Sequence, residues 1–132
     1  PLMVGGGGEK VTLRITAQHA TEWNVWGTVD TLKHKMAILD AHCDRLGRNP
    51  KEIQRSAVAL LFMSDDEVFV KKMKAADLQQ AAIIGSVDEV KEIVAEYEAI
   101  GVDELIVPDF TLGPTEQKLA TLDTFITRVA GR

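Results

Sequence analysis

An α/β fold built from parallel βα units is the architecture this sequence predicts, on three observations. Apolar runs alternate with segments of 3.6-residue period along all 132 residues. The longest apolar run, Arg55–Met63, shows no alternation, as in a strand covered on both faces of a parallel sheet. Helix-start and helix-stop residues punctuate the periodic segments.

The elements follow in order. Leu2–Val4 reads as a strand stub, and Lys10–Ala20 as a helix whose small Ala17 and Ala20 permit close packing. Thr21–Trp26 is a second strand, closed by Gly27. The second helix runs from about Val29 to Leu46, because Leu32, Met36, Leu39, Cys43 and Leu46 form an amphipathic stripe. Gly47 is its C-cap and Asn49-Pro50 the turn beyond it. After the third strand, Ser64-Asp-Asp-Glu67 reads as a capping box opening a helix through roughly Leu78. A second box, Ser86-Val-Asp-Glu89, opens a helix with Val87, Val90, Ile93, Val94, Tyr97 and Ile100 on one face, ended by Gly101. Glu104–Val107 is the fourth strand, stopped by Pro108. Pro114 sits at the first position of a last helix that is expected to bury Leu119, Leu122, Phe125, Ile126 and Val129. Four such strands fit a small open sheet, or half of an eight-stranded barrel of about 250 residues. Composition does not separate the two.

Composition narrows the classes of function. Hydrophobic and charged fractions of 45% and 27% are ordinary for a globular domain and argue against disorder. A net charge of −5 argues against a nucleic-acid or anionic-membrane surface. The basic pair Lys71-Lys72 reads as a solvated helix face. No apolar run has the length of a membrane span and no signal peptide is evident, so the expected location is the cytoplasm. The single Cys43 lies in an apolar stripe and reads as a buried, inert thiol. His19, His34 and His42 have no acidic or cysteine partner at metal-ligand spacing, so they read as surface or packed residues and no metal site is expected. Asp65, Asp66 and Glu67 read as a helix-start cluster.

The most informative segment is Leu2–Thr12, in which an apolar run leads into four consecutive glycines and then a helix. Glycine reaches the φ > 0 conformations of an anion-binding nest and leaves room for a phosphate. A helix N-terminus behind it adds unpaired N–H groups and a positive dipole end. The alternative is a flexible, tag-like glycine tract, against which stands the order strand, loop, helix. Glu9 is expected to complement the helix N-terminus. The segment starts at residue 1 without an initiator Met, which reads as a strand already under way and a piece of something larger.

These residues carry a resemblance. Pro1-Leu-Met-Val-Gly-Gly-Gly-Gly-Glu-Lys-Val-Thr-Leu-Arg14, Ala17-Gln-His-Ala20 and Glu22-Trp-Asn24 resemble the second half of luciferase-like monooxygenases. So do His42-Cys-Asp-Arg-Leu-Gly-Arg-Asn-Pro50, Gly85-Ser-Val-Asp-Glu-Val90 and Tyr97-Glu-Ala-Ile-Gly-Val-Asp-Glu-Leu105, in the same order along the chain. Within the family the likeness is to the branch that uses a deazaflavin coenzyme. The resemblance implies a half TIM barrel comprising strands five to eight of the family fold, in a single partial domain over residues 1–132. It implies coenzyme F420, with FMN as the alternative, and hydride transfer through the cofactor ring. The coenzyme phosphate would be held by Gly5, Gly6, Gly7 and Gly8, with Lys10 and Thr12 as further contacts. The family's first half, with a cis peptide under the ring and much of the substrate pocket, has no counterpart in these residues. No catalytic acid or base is expected among them.

The remaining candidates lie near strand ends, where barrel active sites form. Asn24 could hydrogen-bond a ligand, Trp26 could wall a flavin or substrate pocket, and Asp109 with Phe110 could line it. Core packing is the simpler reading of both tryptophans, and a strand-to-helix turn that of Asp109. Period two puts Asn24 and Trp26 on one face and Trp23 and Val25 on the other, without saying which faces inward. The expected partners are the missing N-terminal half or a second copy of the chain, which would cover the cut edges and apolar interior, together with a small-molecule substrate. The competing class is a non-catalytic half-barrel module that self-associates or binds an anionic ligand.

Overall fold

The long apolar run forms not one ladder but two. In the computed structural model, which describes residues 1–131, the run divides at Ala59 into β3 (Gln54–Val58) and β4 (Leu60–Met63). With β1 (Met3–Gly5), β2 (Glu22–Trp26) and β6 (Glu104–Ile106), β3 makes a parallel sheet in the order β1-β2-β3-β6. β4 pairs in parallel with β5 (Ala82–Gly85), a strand the sequence analysis does not anticipate. The expected four strands are therefore six. Residues 56 to 61 are all buried, as a run without alternation requires.

Hydrogen bonds show how one strand serves two ladders. The Gln54 N–H donates to Thr21 O and the Leu60 N–H to Ala81 O, both from even-numbered residues. The Ala59 N–H between them donates to Ile106 O on the opposite side. β5 thus takes over the side that β2 vacates at Gly27, while β6 flanks the lower part of the other side.

Among the described residues, α1 (Thr12–His19), α2 (Val29–Leu46), α3 (Glu67–Ala75) and α4 (Val87–Ala99) connect strands, and α5 (Thr115–Thr124) follows β6. α2 keeps its expected bounds. Thr28 accepts the Thr31 N–H at its start, and Gly47, in the left-handed region at φ 65°, closes its end. α4 carries the full Ser86/Glu89 capping box. α3 corrects the expectation at Ser64: the cap is Asp66, whose Oδ1 accepts the N–H groups of Val68 and Phe69. An anionic acceptor suits the positive helix end better than a hydroxyl, and Ser64 Oγ instead accepts the Asp66 N–H. The helix also stops at Ala75, short of Leu78.

The last helix departs further. After Thr124 it widens into a π-helical turn, Phe125–Val129, which rotates the faces of the segment. Val129 is buried as expected and Leu122 and Phe125 are half-buried, but Leu119 and Ile126 are 62% and 49% exposed. The core lies between one sheet face and the helices, joining Leu13 and Ala17 of α1, Trp23 and Val25 of β2, and Leu32, Met36, Leu39 and Cys43 of α2. Tyr97 of α4 is buried there with its hydroxyl donating to Gly27 O at 2.8 Å, and burial pushes its pKa up to about 12. Burial also pushes the Cys43 thiol up, as expected of an inert core residue.

Candidate functional site

Because Trp23 and Val25 enter the helix-covered core, strand alternation turns Asn24 and Trp26 to the other face. Register then lays out that open face in rows. Gly5, Asn24, Ser56 and Glu104 lie across it, and Trp26, Val58 and Ile106 form the next row toward the strand ends. Met3, Trp26 and Ile106 are 49%, 37% and 36% exposed there. Asn24 donates from Nδ2 to Ser56 Oγ at 2.8 Å, and Ser56 donates on to Trp23 O at 3.2 Å. The Asn24 side-chain oxygen, Oδ1, accepts no hydrogen bond among the described residues, which leaves it available to a ligand.

The glycine loop leaves β1 at the rim of this face. Gly6 is held at both ends of its residue by β2: its N–H donates to Asn24 O at 2.9 Å, and its carbonyl accepts the Trp23 Nε1–H at 2.8 Å. That double clamp sets Gly6 at φ 119°, a conformation open to glycine and strained for residues with a Cβ. The chain then makes a wide turn, closed by the Leu13 N–H to Gly8 O at 2.9 Å. α1 accordingly starts at Thr12 and not at Lys10, and Lys10 stands exposed in the turn.

Within the turn the N–H groups of Gly7 and Gly8 meet no acceptor among the described residues. The first turn of α1 likewise has no side-chain cap. Thr12 Oγ1 lies so close to Gly8 that a Cβ there would come within 2.8 Å of it. Free amides, a neighbouring hydroxyl and no Cβ in the way are what a phosphate oxygen needs.

Helix α2 contributes what the sequence analysis missed. Glu9 does not complement the start of α1. Its Oε1 accepts from Lys35 Nζ at 2.8 Å and from His34 Nε2 at 2.9 Å. The Lys35 hydrogen bond, and then that of His34, hold the Glu9 carboxyl below its ordinary pKa. His42 Nε2 lies 2.9 Å from Glu9 O, and since a carbonyl only accepts, this nitrogen carries the proton. The Lys35 stem runs under the loop, its Cε 3.4 Å from where a Gly7 Cβ would stand. Positions 35 and 42 flank the buried stripe of α2 seven residues apart, which was the available signal.

Asp109 sits apart from this loop, in a short 3-10 turn after β6. Its carboxylate accepts from Lys118 Nζ at 2.7 Å, which lowers its pKa. Nearby, a cavity of about 250 Å³ opens beside the edge of β4 that β6 leaves uncovered, lined by Leu61, Met63, Phe69, Thr111 and Gln117 among others. Thr111 Oγ1 is buried there without a hydrogen-bond partner among the described residues. Among the described residues no cluster of His, Cys, Asp or Glu could hold a metal ion, and no helix is long and apolar enough to cross a membrane.

No family model matches the chain, and no curated protein matches it by sequence. Solved structures do share its fold. The coenzyme F420-dependent tetrahydromethanopterin reductase from Methanopyrus kandleri superposes with a TM-score of 0.75 at 15% identity, over 99% of this chain and 50% of that one. A long-chain alkane monooxygenase gives 0.70 at 12% identity, over 98% and 41%. The oxygenating constituent of 3,6-diketocamphane monooxygenase from Pseudomonas putida, in complex with FMN, gives 0.67 at 16% identity, over 98% and 47%. The chain therefore spans half or less of the length of these structures, and its parallel βα arrangement is consistent with a partial TIM barrel.

Proposed function

We propose that the chain is the C-terminal half-barrel of a luciferase-like, F420- or FMN-dependent oxidoreductase, corresponding to strands five to eight of that fold. The observation that carries this reading is the pair of unpartnered amides at Gly7 and Gly8, held open by the Trp23 and Asn24 clamp on Gly6. A fold shared with F420- and FMN-associated enzymes supports it.

In this reading the loop Gly5–Gly8 and Thr12 bind the coenzyme phosphate, with Lys10 at the outer rim. The bound coenzyme supplies hydride transfer. The chain's own residues position it: the amides fix the phosphate, Asn24 offers its Ser56-oriented amide, and Trp26 with Ile106 forms an apolar wall that excludes water. F420 is preferred over FMN on the sequence resemblance. In this reading Asp109, tied to Lys118, would reach the substrate pocket from the turn after β6. No side chain on this face is placed as an acid or base.

The test is a fluorescence titration of the purified chain with FMN, F420 and riboflavin. FMN or F420 should bind measurably tighter than riboflavin, which lacks the phosphate. Equal affinity for FMN and riboflavin, with none for F420, would refute the phosphate role.

A second reading is favoured by one observation, the exposed Met3, Trp26 and Ile106 on a sheet whose outer strands β1 and β6 have free edges. Here the chain is an association module, closed by a complementary half or by a second copy. Sedimentation velocity should show a concentration-dependent species larger than 14.5 kDa. A monomer persisting at high micromolar concentration would exclude self-association.

A further inference from the structure

We propose that Glu9 is a built-in anion placeholder at the glycine loop, and that Lys35 of α2, not Lys10, supplies the cation of that site. The proposal rests on the phosphate-loop reading and deepens it. Two donors from α2, Lys35 Nζ and His34 Nε2, converge at 2.8 Å and 2.9 Å on a single oxygen, Oε1 of Glu9. Convergence of an ammonium and an imidazole on one anionic oxygen is the donor arrangement that also serves a phosphate. The site lies beside the loop: the Lys35 stem passes 3.4 Å from where a Cβ of Gly7 would stand, and the Gly7 N–H has no acceptor among the described residues.

Lys10 is exposed in the turn and makes no side-chain hydrogen bond or ion pair among the described residues, whereas Lys35 is half-buried and paired with Glu9. The Glu9 backbone is itself tethered, because its carbonyl accepts from His42. The carboxylate can therefore leave Lys35 by side-chain rotation alone, with the loop unmoved. A phosphate oxyanion entering the nest displaces it, takes the Lys35 ammonium, and is opposed by Glu9 wherever the carboxylate stays near. Glu9 thus sets a threshold: the loop accepts a dianion that outcompetes one carboxylate.

The experiment is a titration of the ¹⁵N-labelled chain with inorganic phosphate at constant ionic strength, read at the Gly7 and Gly8 amides. Glu9→Gln should bind phosphate about two- to fivefold tighter than wild type, the scale of one exposed charge pair. Adding Lys35→Met to Glu9→Gln should reverse that gain, while adding Lys10→Met should leave it. The same spectra report that each variant is folded. Saturating shifts in wild type with no gain in Glu9→Gln would overturn the placeholder and leave the phosphate loop standing. A gain that survives Lys35→Met would overturn the role of Lys35. The absence of saturating shifts in every protein would overturn both the placeholder and the phosphate reading.

Discussion

Replacing Trp23 by Ala is expected to lower the unfolding free energy by about 3–5 kcal/mol, the range for deleting a fully buried large aromatic. Trp23 is 1% exposed, and its indole fills the space between β2 and the helix layer. Natural domains hold only about 5–15 kcal/mol in all, so the variant should lose a large share of the chain's stability. The more informative variant is Trp23→Phe. It keeps most of the apolar contact but removes the Nε1–H donated to Gly6 O. Its expected cost is smaller, about 1–3 kcal/mol, because a half-buried carbonyl loses its partner. With the clamp on one end of Gly6 gone, phosphate binding at the loop should fall as well. Urea unfolding reads the first effect and amide titration the second. If Trp23→Phe binds phosphate like wild type, the clamp does not set the loop.

Arg48→Met is expected to cost about 2–3 kcal/mol, the range for hydrogen bonds made by a charged group. The residue follows α2, yet its guanidinium ends α1. Nη1 donates to Ala17 O at 3.0 Å and to Thr16 O at 3.4 Å, and Nη2 donates to Ala20 O at 2.6 Å. Those carbonyls belong to the last turn and the C-cap of a helix only eight residues long, where positive charge also meets the negative dipole end. Arg48→Lys should recover less than half of the loss, because an ammonium cannot span three carbonyls as a planar fork does. Hydrogen exchange at the amides of α1 should accelerate in step with the shift in urea midpoint. A midpoint within experimental error of wild type would show that solvent satisfies these carbonyls equally well.

Much of this was legible in the sequence. The stripe of α2 from Leu32 to Cys43 and its Gly47 stop, the Ser86 capping box and the continuously buried strand all depend on neighbours within a few residues, so local pattern suffices; Leu46, expected in that stripe, is 48% exposed at the end of the helix. The alternation of β2 correctly put Asn24 and Trp26 on one face, and it took the burial of Trp23 to say which face that is. β5 escaped because Ala81–Gly85 is a short apolar run wedged between Gln79-Gln80 and a helix start, too brief to show a period. The break at Ala59 escaped because it is a change of partner, and the residue sequence through it is uniformly apolar. Ile126 departs from the pattern because it lies in a π turn, which a 3.6-residue template does not represent, whereas nothing in the local pattern accounts for the exposure of Leu119 in the regular helix before it. The Glu9 contacts are tertiary: a carboxylate 26 residues from its lysine leaves no local trace.

One strand backbone shared by two ladders has an evolutionary corollary. Inserting or deleting a single residue at Ala59 would leave Gln54–Val58 registered with both flanking strands, yet invert Leu60–Met63, sending Leu61 outward and Phe62 into the helices. Length variation at that joint should therefore be inherited only in even steps.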